Sequence, residues 1–87
     1  MASYSLVVKA SAAKELEAVT RKRDRHRIAA RIRDLSQEPR PAGCEKLSGR
    51  ELYRVRQGDH RVLCAIDDGA RTVTVVRVAH RRDVYRR

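Results

Sequence analysis

Aromatic residues are scarce in this sequence, which has three tyrosines among its 87 residues and no tryptophan or phenylalanine. A hydrophobic core must therefore be built from valine, isoleucine, leucine and alanine. A chain of this length holds one domain, residues 1–87, with one small core. A second catalytic domain is excluded.

Long apolar runs and metal-binding motifs are also missing. No segment approaches the roughly 18 apolar residues of a membrane span, and the first ten residues lack the apolar stretch of an export signal. The two cysteines, Cys44 and Cys64, are not spaced as metal ligands, and Cys64 lies in an apolar strand pattern that predicts a buried free thiol. We expect a cytoplasmic protein with no membrane contact, metal or small-molecule cofactor.

Acidic residues are outnumbered, since 21 lysines and arginines against 11 aspartates and glutamates give a net charge of +10. Lysine itself is rare, so most of the positive charge is arginine, whose planar guanidinium binds phosphate oxygens bidentately and stays ionised. This charge predicts a polyanionic partner, either a nucleic acid or an acidic protein. Histone-like packing or binding to a membrane surface would also account for it.

The N-terminal half has the pattern of a strand at residues 4–9 followed by two helices. Ser11 is predicted to cap the first helix and Asp24 the second. The apolar residues at helical spacing are Ala13, Leu16 and Val19 in the first helix and Ile28, Ile32 and Leu35 in the second. Pro39, Pro41 and Gly43 end the second helix, and a loop is expected through Gly49. A helical hairpin is the simplest arrangement.

From residue 52 onward the apolar period changes to two, which predicts three strands at 52–57, 60–67 and 72–80. Gly58-Asp59 and Asp68-Gly69 are the expected two-residue turns. The fold class is therefore α+β, with an N-terminal strand, a helical hairpin and a three-stranded antiparallel meander. Residues 81–87 form a short basic tail.

Alternation along these strands separates the two faces of the meander. The face expected to pack on the helices contains Tyr53, Val55, Val62, Cys64, Ile66, Val73 and Val75. A turn at Gly58-Asp59 places Arg56 opposite Arg61 on the other face. Arg54 lies on that face as well.

His80 is predicted to join this group, because a turn at residues 68–69 would pair Arg61 with Val76 and give His80 the same orientation. Like charges directly opposite each other destabilise a sheet, and a bound polyanion would relieve the repulsion. The alternative is a solvent-facing set of arginines whose stems lie on Leu63 and Val76. The convergence of the four groups favours a functional site.

Several short stretches, in this order and spacing, resemble the RelE/ParE toxin superfamily and its RelE branch in particular. They are Leu16, Arg27-Ile28, Ile32, Leu35, residues 39–43, Lys46-Leu47-Ser48-Gly49, residues 53–56, residues 58–62, Ile66-Asp67-Asp68, Val73, Val75, Val78, His80-Arg81 and Val84-Tyr85. The resemblance covers nearly the whole chain and implies a RelE-like fold. It also implies ribosome-dependent, metal-independent cleavage of messenger RNA by attack of the ribose 2′-hydroxyl on the adjacent phosphodiester.

The resemblance also implies roles for individual residues. Arg54 and Arg56 match basic residues that are often lysines in the family, and Arg61 matches the arginine that stabilises the phosphate. His80 or Arg81 stands at the position of the general acid, and Tyr85 matches a C-terminal aromatic that stacks on or orients a nucleotide. Because arginine does not deprotonate, Arg54 and Arg56 are assigned to electrostatic stabilisation, which leaves the general base unassigned.

The histidines, Glu45 and Cys64 are further titratable residues whose roles can be predicted. An imidazole ordinarily changes charge near neutral pH, so His80 is the best general acid, with base as its other role. Glu45 is similar in position to a catalytic glutamate of YoeB-like toxins, but a surface charge is an equal alternative. His60 and Cys64 are interpreted as structural, and His26 as a residue on the helix surface.

The expected partners are an acidic antitoxin, whose helix or disordered tail masks the arginines, and messenger RNA on the ribosome. Two other functions stay open. A ParE-like poison of DNA gyrase would share the fold without nuclease chemistry, and a catalytically degenerate toxin would act as a binding module. Retention of the arginines, His80 and Tyr85 argues against the gyrase poison.

Overall fold

Two helices cover one face of a five-stranded sheet in the computed structural model, which describes residues 3–49 and 51–84. The strands are β1 (Ser5–Val8), β2 (Glu45–Lys46), β3 (Tyr53–Gln57), β4 (His60–Asp67) and β5 (Thr72–His80). The helices are α1 (Ala10–Glu17) and α2 (Lys22–Asp34). The predicted α+β class is confirmed, and Tyr85 lies outside the described residues.

The sheet has the strand order β1-β5-β4-β3-β2. Strands β2 to β5 are antiparallel neighbours, whereas β1 runs parallel to β5, with Ser5 opposite Thr72. The three predicted meander strands are confirmed. The two-residue strand β2 was not predicted, because the sequence from Pro39 to Gly49 has only turn-forming signals.

Both predicted helix caps are wrong. α1 begins after Lys9 and α2 after Arg21, and neither residue makes a side-chain capping hydrogen bond. Ser11 therefore lies inside the first turn of α1. Asp24 lies in the first turn of α2, where its carboxylate interacts favourably with the positive end of the helix dipole.

The core lies between the helices and the sheet face predicted to pack on them. Ile28, Ile32 and Leu35 of the second helical segment are at most 4% exposed. They belong to the same cluster as five fully buried sheet residues, Val55, Val62, Cys64, Val73 and Val75. This face assignment is confirmed, and burial raises the pKa of the Cys64 thiol to about 12, which keeps the thiol unreactive.

The connection between β4 and β5 differs from the prediction. Asp67 pairs with Thr72, so the loop has four residues, 68–71, and not the two-residue turn expected at Asp68-Gly69. Arg71 closes the loop with a positive φ of 52°. The first turn is confirmed, because Gln57 pairs with His60 and Gly58 has a φ of 59°, the left-handed conformation that glycine adopts readily.

A β-bulge then changes the register between β4 and β5. Cys64 pairs with Val75, but Leu63 pairs with Arg77, so Val76 is the additional residue in β5. An extra residue reverses the alternation of everything that follows it in the strand. Val78, 2% exposed, consequently points into the core with Val73 and Val75.

Candidate functional site

Four arginines gather on and beside the sheet face that the helices leave uncovered. We call Arg54, Arg56, Arg61 and Arg81 the arginine cluster. The turn at Gly58 places Arg56 directly opposite Arg61, as predicted, and Arg54 lies two residues before Arg56 on the same face. Arg81 follows the end of β5, and its backbone N–H donates to the carbonyl oxygen of Asp59 at 2.8 Å.

The guanidinium of Arg61 is held in place by two backbone carbonyl groups. Its Nη1 donates to the carbonyl oxygens of His60 at 2.9 Å and Gly58 at 3.1 Å, which holds the side chain against the β3–β4 turn. Partial burial lowers the pKa of Arg61, and the charges of Arg56, Arg54 and Arg81 lower it further. The cluster is therefore a site where positive charges repel one another in the absence of an anion.

Glu45 supplies the carboxylate closest to these arginines. Strand β2 places it opposite Arg54, whose Nη2 donates to Glu45 Oε1 at 2.6 Å, and Arg56 Nη2 lies 3.7 Å from the same oxygen. The hydrogen bond from Arg54 lowers the pKa of Glu45, with smaller contributions from the charges of Arg54 and Arg56. Glu45 is thus an ionised carboxylate, 55% exposed, at the edge of the arginine cluster.

Asp59 is the counter-ion of Arg81 among the described residues. Arg81 Nε lies 3.9 Å from Asp59 Oδ1, and both side chains are more than 60% exposed. An ion pair this exposed and this long contributes little to stability. The guanidinium of Arg81 is therefore available to a ligand that also contacts Arg61.

His80 is not on the face where it was predicted. It pairs with His60, and the two rings meet edge to face with their centroids 5.6 Å apart. The bulge at Val76 is the physical reason, because it turns the last residues of β5 over and brings His80 to the helix side. Arg82 donates its backbone N–H to His80 Nδ1 at 3.2 Å, so the ring also supports the C-terminal turn.

Both histidines line a groove on the helix side. It has a volume of about 440 Å³ and is lined by Val19, Thr20, Arg21, Asp24, Gly58, Asp59, His60 and His80. The arginine cluster lies across the sheet from this groove. The structure therefore brings Arg54, Arg56, Arg61 and Arg81 together and separates His80 from them.

The C-terminal turn is tied back to the sheet. Arg77 Nη1 donates to the carbonyl oxygen of Val84 at 3.0 Å, and Val84 is only 2% exposed. Glu15 of α1 holds the same region, since its Oε1 accepts the backbone N–H of Val78 at 2.9 Å and its Oε2 lies 3.5 Å from Arg77 Nε. These contacts position Arg81, and the sequence pattern did not reveal Glu15.

A second polar group stabilises the opposite end of the sheet. Arg40 makes two hydrogen bonds to Asp68, at 2.9 and 3.1 Å, while the hydroxyl of Tyr4 donates to Asp68 Oδ1 at 2.7 Å. The guanidinium of Arg40 also stacks on the ring of Tyr53, 4.9 Å from its centroid. This group is a structural anchor that joins the loop before β2 to β1, β3 and the β4–β5 loop.

Metal-binding groups and membrane-spanning helices are both absent from the described ranges, 3–49 and 51–84. No three His, Cys, Asp or Glu side chains among them are grouped to hold a metal ion. No helix among them is long and apolar enough to cross a membrane.

Comparison with known proteins gives matches along most of the chain. A family model described as the ParE toxin of the type II toxin–antitoxin system parDE matches residues 6–85. Toxin RelG of Mycobacterium tuberculosis is 41% identical, and the match covers 78% of this chain and 90% of RelG.

Solved structures match in fold. The toxin–antitoxin complex RelBE2 of M. tuberculosis contains a chain with a TM-score of 0.78 and 27% identity, covering 90% of this chain and 98% of that one. The archaeal RelE–RelB complex of Pyrococcus horikoshii gives a TM-score of 0.81 at 24% identity, covering 94% and 99%. The second likeness is one of fold alone.

Proposed function

Because the chain belongs to the ParE toxin family of type II toxin–antitoxin systems, within the RelE/ParE superfamily, we propose that it is a ribosome-dependent endoribonuclease that cleaves messenger RNA without a metal ion. The arginine cluster is the observation that carries this proposal. Four guanidinium groups, with the carboxylates of Glu45 and Asp59 at the edges of the cluster, are suited to a phosphodiester and its negatively charged transition state. Folding alone would not select Arg56 opposite Arg61.

The proposed reaction is a transfer within the RNA. The 2′-oxygen of one ribose forms a bond to the adjacent phosphorus, the bond from phosphorus to the 5′-oxygen of the next nucleotide breaks, and a 2′,3′-cyclic phosphate results. Arg61 and Arg56 neutralise the charge that develops on the pentavalent phosphate. Arg54 contributes to this field and also holds Glu45 by their 2.6 Å hydrogen bond.

Glu45 is the group we assign to removing the 2′-hydroxyl proton. It is ionised, more than half exposed, and directed at the arginines that would bind the phosphate. A carboxylate of lowered pKa is a weak base, so orientation rather than basicity must provide most of its contribution. This assignment gives the reaction a base that the arginines cannot supply.

Arg81 is the group we assign to the departing 5′-oxygen, whose charge it stabilises as the bond breaks, while a water molecule supplies the proton that completes the 5′-hydroxyl. Arg81 lies close enough to Arg61 to influence that residue's ionisation, and its only ion-pair partner among the described residues is the exposed Asp59. His80 as general acid and Tyr85 as stacking aromatic remain predictions. The position of His80 across the sheet favours Arg81 over it.

Induction of the chain in bacteria tests the proposed activity. We expect translation to stop and new 5′ ends to appear in messenger RNA, in phase with codons and only in translated regions. Purified protein should cut RNA on ribosomes in the presence of EDTA. Intact transcripts during growth arrest would contradict the proposal, and RNA binding without cleavage would indicate a degenerate toxin.

We propose an acidic antitoxin segment as the protein partner. The solved RelBE2 and RelE–RelB structures are complexes of toxin and antitoxin, and the charge of +10 favours an acidic ligand here. A small neighbouring reading frame with an acidic C-terminal half is expected. Its product should bind in a salt-sensitive manner and suppress cleavage; failure to suppress it would exclude that product as the antitoxin.

A gyrase poison is the second candidate function, because the matching family model is described by the toxin of parDE. A supercoiling assay with purified DNA gyrase separates the two. Inhibition of supercoiling together with intact messenger RNA would establish this alternative. Unchanged supercoiling with cleaved messenger RNA would exclude it.

A further inference from the structure

A second basic surface lies on the outer side of α2. Its residues are Lys22, Arg23, His26, Arg27 and Arg33, which we call the α2 basic face, and all five are exposed. Ile28 and Ile32 turn the other side of the helix into the core, where they are 0% and 4% exposed. Since α2 covers the helix side of the sheet, this surface and the arginine cluster point in opposite directions.

The charges of the α2 basic face have no ion-pair partner in the part of the chain that the structure describes. None of the ion pairs between described residues includes any of these five side chains. Arg25, on the inner side of the same helix, is different, because its guanidinium donates to the carbonyl oxygens of Val19 and Thr20. The outer arginines have no such structural contact among the described residues.

The centre of this face is recessed. Ala29 and Ala30 carry the smallest side chains of the helix surface, and a depression of about 320 Å³ is lined by His26, Ala29 and Arg33. From Lys22 to Arg33 the helix rises about 16 Å at 1.5 Å per residue. A convex, charged ligand backbone can therefore reach the alanines while the longer cationic side chains contact it on either side.

We propose that the α2 basic face binds the sugar–phosphate backbone of duplex RNA without reading its sequence. The inference goes beyond the cleavage site, since it concerns a surface on the other side of the protein. A rigid helix with cations along about 16 Å matches the wide, shallow minor groove of an A-form helix, where phosphates and 2′-hydroxyls are presented. Single strands are a poorer match, because their binding uses aromatic stacking and this face has no Phe, Tyr or Trp.

The two surfaces would allow the protein to hold two RNA segments at once. The molecule measures 35 × 28 × 25 Å, so its opposite faces are separated by the thickness of the domain. A single strand in the arginine cluster and a duplex on α2 would not compete for the same side chains. The α2 basic face then anchors the protein on structured RNA while the arginine cluster meets the strand to be cut.

The test measures binding of the full-length protein to a fluorescent 20-base-pair RNA duplex by anisotropy, at several salt concentrations. The test variant is Arg23→Ala/Arg33→Ala, in which alanine preserves the helix. Its matched control is Lys9→Ala/Lys14→Ala, which removes two exposed charges from the start of the chain and α1. A third variant, Arg56→Ala/Arg61→Ala, changes the arginine cluster.

We expect the α2 variant to bind the duplex at least about tenfold more weakly than the wild type at 0.1 M salt. The logarithm of its association constant should also fall less steeply with the logarithm of the salt concentration, with a slope smaller by roughly 2. In the Lys9/Lys14 control, the duplex affinity and the salt slope should both change much less. The arginine-cluster variant should lose cleavage activity but keep its affinity for the duplex. Because duplex binding is measured separately from cleavage, this inference can be tested even if the protein proves not to be a nuclease. Equal losses in the α2 variant and the Lys9/Lys14 control would overturn it.

One further outcome would contradict the proposal. If the α2 variant bound duplex RNA as well as the wild type but lost affinity for an acidic antitoxin segment, the face would be a protein-binding surface. Circular dichroism and thermal unfolding of each variant confirm that the comparison is made between folded proteins.

Discussion

Arg61 has an environment unlike that of an ordinary surface arginine. It is partly buried, faces Arg56 across the hairpin, and is held by carbonyl oxygens that position it without neutralising it. The other arginines of the cluster are nearby, so the positive charges that would bind a phosphate are already in position before it binds. Preorganised charge of this kind lowers a barrier without reorganisation during the reaction.

Replacing Arg61 with alanine should reduce cleavage by roughly 10²–10³-fold, the usual effect of removing one group that stabilises transition-state charge. The change should leave the free energy of unfolding within about 0.5 kcal/mol, because no core packing is lost. Arg61→Lys should recover only part of the rate, since it keeps the charge and loses the planar fork. Primer-extension mapping of cleaved RNA and urea unfolding measure the two effects, and full activity of Arg61→Ala would remove it from the mechanism.

Glu45→Gln separates the proposed base from its structural contact. Glutamine can still accept the hydrogen bond from Arg54, so the fold should be retained, while cleavage should fall by about 10²-fold or more. Because the pKa of Glu45 is lowered, the carboxylate is ionised at neutral pH and its protonation should reduce the wild-type rate only in acid. Single-turnover cleavage rates measured across the pH range test this. If the rate of Glu45→Gln falls in acid just as the wild-type rate does, the group that titrates is not Glu45.

Asp68 makes a pH-dependent contribution to stability. Hydrogen bonds from Arg40 and Tyr4 lower its pKa from the usual 3.8, so this contribution is fully present above that value. It is lost as pH falls below 3.8 and through the lower pKa of the folded state. Asp68→Asn should therefore be less stable than the wild type at neutral pH. Its free energy of unfolding should also decrease less than that of the wild type as the pH is lowered. Thermal unfolding between pH 2.5 and 7 measures the difference. Asp34→Asn is the control, because Asp34 is exposed and belongs to none of the ion pairs described above. Melting temperatures of Asp68→Asn and wild type that change in parallel with pH would refute the prediction.

At the scale of elements, the bulge in β5 determines which side chains reach which surface. Before Val76, the alternation inferred from the sequence agrees with the structure, and after Val76 it is reversed. Val75 and Val76 are the same residue type, so nothing in the local sequence marks one as the additional residue. The position of His80 could therefore not be obtained from periodicity alone.

The elements that were predicted depend on strong local signals. The hairpin at Gly58 combined a glycine turn with clear alternation, and it correctly paired Arg56 with Arg61. Strand β2 has two residues and forms only through its pairing with β3, which places Glu45 beside Arg54. Such a contact depends on tertiary structure, so the sequence indicated Glu45 only by family resemblance and left its partners unknown.

Glu15 connects α1 to the bulge, and its replacement tests that connection. Glu15→Ala removes the acceptor of the Val78 N–H and the counter-ion of Arg77, which should lower the free energy of unfolding by about 1–3 kcal/mol. Glu15→Gln keeps an acceptor and should lose less. Urea unfolding measures both, with Glu17→Ala as an exposed control on the same helix; equal stability of Glu15→Ala and the control would show that the contact is not stabilising.

At the scale of the whole molecule, the net charge of +10 in so small a domain opposes the compact state. Raising NaCl from 0.05 to 0.5 M shortens the screening length to a few ångströms, so the melting temperature should rise. Sulfate should raise it more than chloride at equal ionic strength if anions occupy the arginine cluster. Differential scanning fluorimetry of wild type and Arg56→Ala/Arg61→Ala tests this, and an identical sulfate effect in both would exclude the cluster as the anion site.

The parallel pairing of β1 with β5 also limits when the sheet can be completed during synthesis. Ser5 meets Thr72, so the first strand must wait during synthesis until the last strand of the sheet has been made. The β3–β4 hairpin, in contrast, depends on contacts close in sequence, which form early. Arg56 and Arg61 can therefore be paired on the nascent chain before β1 has a partner, and the sheet face that presents them is complete only once β5 has been made.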